Sequence, residues 1–190
     1  MEKLVLKEED FVGKGNERVC YVHPADNTKA VKCSYEQNKG RSKQTTIEVA
    51  NYQILLKRNH KDWKHLPEYF GTVDTNKGEA FVVEIVRDFD GKVSKSFEYY
   101  IEKYGVDNYS KELSVYKEYF LKYKIIFNYG MMPKNILLRK NSETDFDLVL
   151  IDGLGDVSHF TILNNIRYFS SRKINRRWDK FIRKYLTKKV

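Results

Sequence analysis

The chain has 190 residues, 41% of them hydrophobic and 14% aromatic, with 14 tyrosines and 11 phenylalanines. That apolar content supports a real core and excludes wholesale disorder, and the length fits one domain or two small lobes. A surplus of 35 basic over 26 acidic residues gives a net charge of +9, which favours anionic partners (nucleotide phosphates, nucleic acid, anionic lipid) without choosing among them.

The first third reads as β-rich. Arg18 to Val22 and Lys29 to Tyr35 are β-prone runs separated by Asp26-Asn27, which predicts a hairpin with its turn at that pair and an earlier strand beginning before Gly13. After the polar stretch Glu36 to Lys43, a helix is predicted from Gln44 to Lys57, with Ile47, Ala50, Ile54 and Leu55 as its apolar stripe. Strands follow at Tyr69 to Val73 and Ala80 to Val86, around the turn Asn76-Lys77-Gly78.

From Ser96 onward the texture is helical. A short helix is predicted at Phe97 to Tyr104 and a long one at Ser110 to Phe127, with Leu113, Tyr116, Phe120 and Phe127 on one side. Two short strands, Ile136 to Leu138 and Leu148 to Ile151, precede a last helix from Asn164 to Lys188. Strands first and helices afterwards predict an α+β protein of two lobes.

Cys20 and Cys33 show neither metal-ligand spacing nor a disulfide framework, and both read as buried structural thiols. The histidines, His23, His60, His65 and His159, are scattered and suggest no metal centre of the His-rich kind. No run is long enough to span a membrane, and Met1-Glu2-Lys3-Leu4-Val5-Leu6-Lys7 lacks the apolar centre of a signal peptide; a cytoplasmic location is the expectation.

Four features carry candidate chemistry. Phe11-Val12-Gly13-Lys14-Gly15-Asn16-Glu17-Arg18 is a Gly-x-Gly turn between strands; at Gly13 and Gly15 backbone N–H groups can approach phosphate oxygens with no side chain in the way, though an ordinary hairpin turn looks the same. Ala30-Val31-Lys32 sets a lysine in an apolar strand, and Glu48 follows on the predicted helix beside its stripe. A helix packed on the sheet would let Glu48 pair with Lys32 and hold it toward nucleotide phosphates. Pro133-Lys134-Asn135-Ile136-Leu137-Leu138 and Leu148-Val149-Leu150-Ile151-Asp152-Gly153 place Asn135 and Asp152 at the ends of neighbouring strands. Together they form an oxygen pair suited to Mg²⁺, which needs few protein ligands when phosphates supply the rest.

In this order the features resemble the signature set of the protein-kinase fold. More narrowly the sequence resembles the YrbL family of PhoP regulatory network proteins. The resemblance rests on Gly13 to Arg18 with Cys20-Tyr21-Val22-His23-Pro24, on Lys61 to Val73, on Asp88-Phe89-Asp90-Gly91-Lys92, on Pro133 to Leu137 and on Trp178-Asp179-Lys180-Phe181-Ile182. It implies a two-lobed kinase-like fold, with residues 1–87 as a β-rich small lobe and 88–190 as a reduced helical lobe. It also implies ATP and Mg²⁺ held between the lobes, with Lys32, Glu48, Asn135 and Asp152 as the catalytic set, and Asn135 and Asp152 on the metal. Gly13, Gly15 and Lys32 would meet the phosphates, and the segment Glu84 to Arg87, with Glu84 and Val86, would meet the base.

The kinase pattern breaks at its catalytic loop. In Asn128-Tyr129-Gly130-Met131-Met132-Pro133-Lys134-Asn135, Gly130 stands where kinases carry the catalytic aspartate and Met132 where they carry a lysine. Arg18 replaces the third glycine of the Gly loop, and Asp152-Gly153-Leu154 stands for Asp-Phe-Gly. A substitute carboxylate would have to come from Asp156 or Asp90. With 38 residues after Asp152, the resemblance implies a small-molecule or folded-protein acceptor, or none.

Three readings therefore stay open: a slow or unconventional phosphotransferase, a pseudokinase acting as a regulatory binding module, and a binder of nucleic acid or anionic membrane. The last, not favoured, would use the basic C-terminal helix, with Ile174, Trp178, Phe181, Ile182, Tyr185 and Leu186 as its apolar stripe and Arg172, Lys173, Arg176, Arg177, Lys180, Arg183 and Lys184 on the other faces.

Overall fold

The computed structural model describes residues 3–15, 18–34, 43–128, 131–155 and 167–187. It has a mixed α+β architecture that divides into two compact units. One comprises Met1–Trp63 and Pro67–Ile85, the other Lys64–Leu66 and Val86–Val190.

The first unit is built on an antiparallel sheet of β1 (Phe11–Lys14), β2 (Arg18–His23), β3 (Asp26–Ser34), β4 (Tyr69–Thr75) and β5 (Gly78–Glu84), in the order β1-β2-β3-β5-β4. Helix α1 (Lys43–Lys57) lies between β3 and β4 in the chain. The β2–β3 turn falls at Pro24-Ala25, not at the predicted Asp26-Asn27, which begin β3. Asp26 accepts hydrogen bonds from Thr28 and pairs with Lys29 at 2.8 Å, so its side chain anchors the start of the strand.

Alternation along the strands gives the sheet two faces. One carries Tyr21, Val31, Cys33, Ala80 and Val82, and is closed by the amino-terminal segment through Leu4 and Leu6. That segment is fixed by backbone bonds between Leu4 and the 74–76 turn and by Asn76, whose amide bonds Leu6 at both its N–H and its carbonyl. The other face carries Arg18, Cys20, Lys32, Ser34 and Phe81, and receives α1.

The helix meets this face with Thr45, Glu48, Val49, Tyr52 and Leu55, all buried. Ser34 and Thr45 share a hydrogen bond of 3.3 Å, and Tyr52 stacks on Tyr69 at 4.9 Å and lies 6.4 Å from Phe81. The predicted stripe was rotated: Ala50 is exposed and Ile47 and Ile54 are half-buried. Counting apolar residues misphased the helix because its inward face includes Thr45 and Glu48, both satisfied by polar partners on the sheet.

The second unit holds α2 (Phe97–Tyr104), α3 (Ser110–Tyr123), the antiparallel hairpin β6 (Ile136–Lys140) and β7 (Phe146–Leu150), and α4 (Arg167–Phe181), which continues as a π-helical turn at Ile182–Leu186. Ser96 caps α2 by accepting from the Tyr99 N–H. Helix α3 stops short of the predicted Phe127 because Lys124 takes a left-handed conformation (φ 54°) and its N–H caps Phe120. Phe127 is nevertheless fully buried, 5.0 Å from the Phe120 ring.

Leu113, Tyr116, Phe120, Ile136, Leu138, Leu148, Leu150, Ile174 and Trp178 are buried in this unit. Tyr116 touches Trp178 across α3 and α4 at 6.0 Å. His65 belongs here: it bonds the Leu148 carbonyl through Nδ1 at 2.7 Å, its own carbonyl accepts from the Leu150 N–H, and its ring packs on Tyr119. Among the described residues, no helix is long and apolar enough to cross a membrane.

Candidate functional site

In the first unit, β2, β3 and β5 place Cys20, Lys32 and Phe81 in one cross-strand row, which Gly13 of β1 extends. Lys32 reaches up to Glu48 of α1, with Nζ 3.5 Å from Oε1. Glu48 is 1% exposed, so its charge requires partners. Its stronger one is Arg18, whose Nη1 lies 2.7 Å from Oε2. Arg18 is itself 7% exposed. Both cations sit over the face of Phe81, Arg18 at 5.8 Å and Lys32 at 5.5 Å from the ring centroid. The structure thus brings Lys32 and Glu48 together and adds a third member.

Arg18 stood out in the sequence only as a departure from the Gly loop. The strand alternation held the signal, because Arg18 and Cys20 share a face, and in a hairpin that face is also the one of Lys32 and Ser34.

Gly13 lies within β1, beside a bulge between Phe11 and Gly13, and the Gly15 N–H closes the hairpin on the Arg18 carbonyl at 2.8 Å. Among the described residues, a Cβ built at Gly13 would meet nothing within 4 Å, and one at Gly15 only the Arg18 carbonyl at 3.9 Å; neither glycine has a positive φ. The described residues around them therefore give no reason for glycine at either place. Asn16 and Glu17 lie outside the described residues.

Cys20 faces the same side as Lys32 and is half-buried, which corrects the reading of two equally buried thiols; Cys33, on the opposite face, is 1% exposed. Burial raises both thiol pKa values, Cys33 to about 11, and the positive charge of Lys32 and Arg18 partly opposes the shift at Cys20. Glu84 ends β5, where its N–H bonds the Glu68 carbonyl and its carboxylate accepts weakly from the Glu68 N–H at 3.4 Å.

In the second unit, the 3₁₀ turn Pro133–Asn135 leads into β6, and Asn135 donates its N–H to the Met132 carbonyl at 2.9 Å. Ile136 pairs with Leu150, and the Asn135 carbonyl accepts from the Ile151 N–H at 3.0 Å. Asn135 and Asp152 accordingly leave the same end of the β6–β7 ladder, both half-buried. Among the described residues, no hydrogen-bond partner is found for the Asn135 side-chain amide.

A second strap fixes the Asp152 turn. Asn128 donates its N–H to the Gly153 carbonyl at 2.7 Å, Gly155 donates to Ile126 at 2.7 Å, and Phe127 bridges Leu154. Arg177 of α4, 3% exposed, donates to the Phe127 carbonyl. Arg177, placed by the sequence among the basic residues off the apolar stripe, is thus a buried member of the helix. Asn128 and Arg177 were missed as positioning groups, since neither carries a sequence signal of its own.

The remaining residues are placed as follows. Val86 is buried in the second unit, and its carbonyl accepts from the Ser94 N–H at 3.0 Å. Asp90 is exposed and bound to Lys92 at 2.7 Å, which holds its carboxyl below the usual range. Gly130 and Asp156 lie outside the described residues. Met131 is buried and Met132 half-buried. No group of three His, Cys, Asp or Glu side chains gathers among the described residues, so a metal here would need oxygens from asparagine or from a ligand. Asn135 and Asp152 supply the chemistry a hard divalent cation prefers.

The family model described as PhoP regulatory network protein YrbL matches residues 4–186. The chain belongs to the YrbL family. Among its relatives is the Escherichia coli (strain K12) protein named "Uncharacterized protein YrbL", 32% identical over 181 residues, covering 93% of this chain and 85% of the relative. A Shigella flexneri protein of the same name matches with the same identity and coverage. The match to the YrbL family spans both units, including the Arg18–Glu48–Lys32 cluster and the Asn135 and Asp152 turns.

Proposed function

We propose that this YrbL-family protein binds a nucleoside triphosphate with a divalent cation on a reduced protein-kinase-like scaffold, the first unit serving as small lobe and the second as large lobe. In this reading Lys32 pairs with phosphate oxygens, Gly13 and Gly15 let backbone N–H groups approach them, and Asn135 and Asp152 hold Mg²⁺. Glu84 and Val86 belong to the segment Glu84 to Arg87 that would meet the base.

The observation that carries the reading is the Lys32–Glu48 contact of 3.5 Å between a strand and a buried helix face, in one cross-strand row with a glycine that the local fold does not require. Lysine, carboxylate and bare backbone in one place suit phosphate recognition.

Phosphoryl transfer depends mainly on positioning and on charge neutralisation, while a general base contributes about 10²–10⁴-fold. With Gly130 and Met132 in the catalytic-loop positions, transfer to a small-molecule or protein acceptor is expected to be slow. The same two residues favour a second reading, in which nucleotide occupancy regulates a partner without turnover. The name of the family, which speaks of a regulatory network, agrees with a regulatory role.

Calorimetric titration with ATP and Mg²⁺ or Mn²⁺ tests binding, with K32M and D152N each expected to weaken it at least tenfold. Wild-type protein that takes up no nucleotide with either metal would falsify the proposal. Labelled ATP then separates the two readings: label appearing on an acceptor or on the chain and lost in D152N supports slow transfer, and its absence alongside tight binding supports the regulatory module.

A further inference from the structure

Glu48 is buried at 1% exposure and uses its two oxygens on two cations, Oε2 on Arg18 at 2.7 Å and Oε1 on Lys32 at 3.5 Å. The division is unequal. A guanidinium at 2.7 Å makes a full charge-assisted hydrogen bond, while an ammonium at 3.5 Å is at the limit of one. Arg18 also closes the glycine hairpin, because its carbonyl accepts the Gly15 N–H. One residue therefore joins the hairpin, the sheet and α1.

We propose that Arg18 is a positioning residue that keeps Glu48 paired while Lys32 turns toward an anion. This rests on the nucleotide reading of Lys32 given above and deepens it. In a two-membered lysine–glutamate pair, moving the ammonium onto a phosphate strands a buried carboxylate, and a lone buried charge is strongly unfavourable. Here Arg18 keeps the shorter bond to Glu48 while the longer Lys32 contact, at 3.5 Å, is shared with a phosphate. Arg18 holds the shorter contact to Glu48 and Lys32 the longer one; the planar fork of arginine suits it to a fixed, buried position. The arginine at the third glycine position is thus a working part of the phosphate site, in place of the bare backbone.

The test uses the full chain and the variants R18M, R18K, K32M, E48Q, R18M/E48Q, K32M/E48Q and R18K/E48Q, each checked by circular dichroism. Without ligand, urea unfolding gives double-mutant cycles for Arg18 with Glu48 and for Lys32 with Glu48. The first coupling is expected to exceed the second by at least tenfold in the unfolding equilibrium constant; equal or reversed couplings overturn the proposal. With ligand, binding of Mg-ATP and of inorganic tripolyphosphate is measured by calorimetry. R18M is expected to bind both at least tenfold more weakly, R18K to recover in part, and R18M/E48Q to recover most of the loss, since Lys32 then has no buried carboxylate to neutralise.

R18M/E48Q as weak as R18M overturns the role. R18M that binds like wild type overturns it while leaving the nucleotide reading standing. Wild-type protein that binds neither ligand overturns both. If R18M fails to fold, R18K and the Glu48 cycle built on it decide the question.

Discussion

The two units hold their candidate groups by different means. In the first, Lys32 is placed by side-chain charge: a carboxylate at 1% exposure lies between two cations, all three contributed by different elements. In the second, Asn135 and Asp152 are placed by backbone: the bonds Ile151 to Asn135, Asn128 to Gly153 and Gly155 to Ile126 fix the turns that carry the candidate side chains. The difference has a consequence for mutation. Charge changes in the first unit should disturb folding and ligand binding together, whereas those in the second should disturb binding alone.

The sharpest way to break this contrast is to remove one carboxylate from each unit. Glu48→Ala leaves Arg18 and Lys32 side by side without their shared anion, and loss of one partner from a buried ion pair typically costs about 3–5 kcal/mol. Asp152→Ala takes away a half-buried carboxylate at a turn whose backbone bonds survive, and its stability change is expected to stay within about 1 kcal/mol. The same change should weaken Mg²⁺-dependent nucleotide binding at least tenfold. Urea denaturation and calorimetry on both variants decide it; equal losses of stability would dissolve the distinction.

These arrangements also mark how far the sequence can be read. The strands and the short helix Phe97–Tyr104 were legible because apolar periodicity and turn residues agree there. Lys32 and Glu48 were legible as candidates through order along the chain, and the packing of α1 on the Lys32 face of the sheet brings them within 3.5 Å. Helix α1 was misphased because its buried face includes a threonine and a glutamate, which only their sheet partners justify. Arg177 was misread because a helical repeat of basic residues gives no sign which one turns inward; here it is the one that reaches the Phe127 carbonyl. Arg18 lies between these cases, because it occupies a motif position at which glycine is expected.

Two glycines sharpen the comparison at smaller amplitude. Gly153 has φ +96°, and a Cβ there would lie 3.0 Å from Asn128 Oδ1, so Gly153→Ala pays for both backbone strain and a displaced amide, about 1–3 kcal/mol. Gly13 has open space and no positive φ. Gly13→Ala should therefore stabilise the apo protein by about 0.4–1 kcal/mol, through the reduced freedom of the unfolded chain. If phosphates approach the β1 hairpin, the same change weakens nucleotide binding. Opposite signs for stability and affinity in one variant are the expected signature, and a Gly13→Ala protein that is destabilised in the absence of ligand would show that the fold, and not a ligand, requires the glycine.

A further expected effect is a pH dependence on the sheet face opposite Lys32. Cys33 is buried among Tyr21, Val31 and Val82, and its thiol is pushed from an ordinary 9.0 to about 11, chiefly by burial, with a hydrogen bond to Thr75 opposing. A thiol that holds its proton more tightly when folded stabilises the native state fully below the unfolded value of 9.0. That contribution is lost as pH rises from 9.0 toward about 11, because the unfolded chain gives up the proton first. Stability of the wild-type protein should therefore fall over this range, and Cys33→Ala, less stable at neutral pH for want of packing, should fall less steeply. In the second unit, burial drives the Tyr116 phenol well above its ordinary 10.0, which gives the same sign at higher pH, so the two slopes separate along the pH axis. Urea midpoints at half-unit steps from pH 8 to 11 measure the difference; a Cys33→Ala profile parallel to wild type would mean that the thiol takes no part in the alkaline loss.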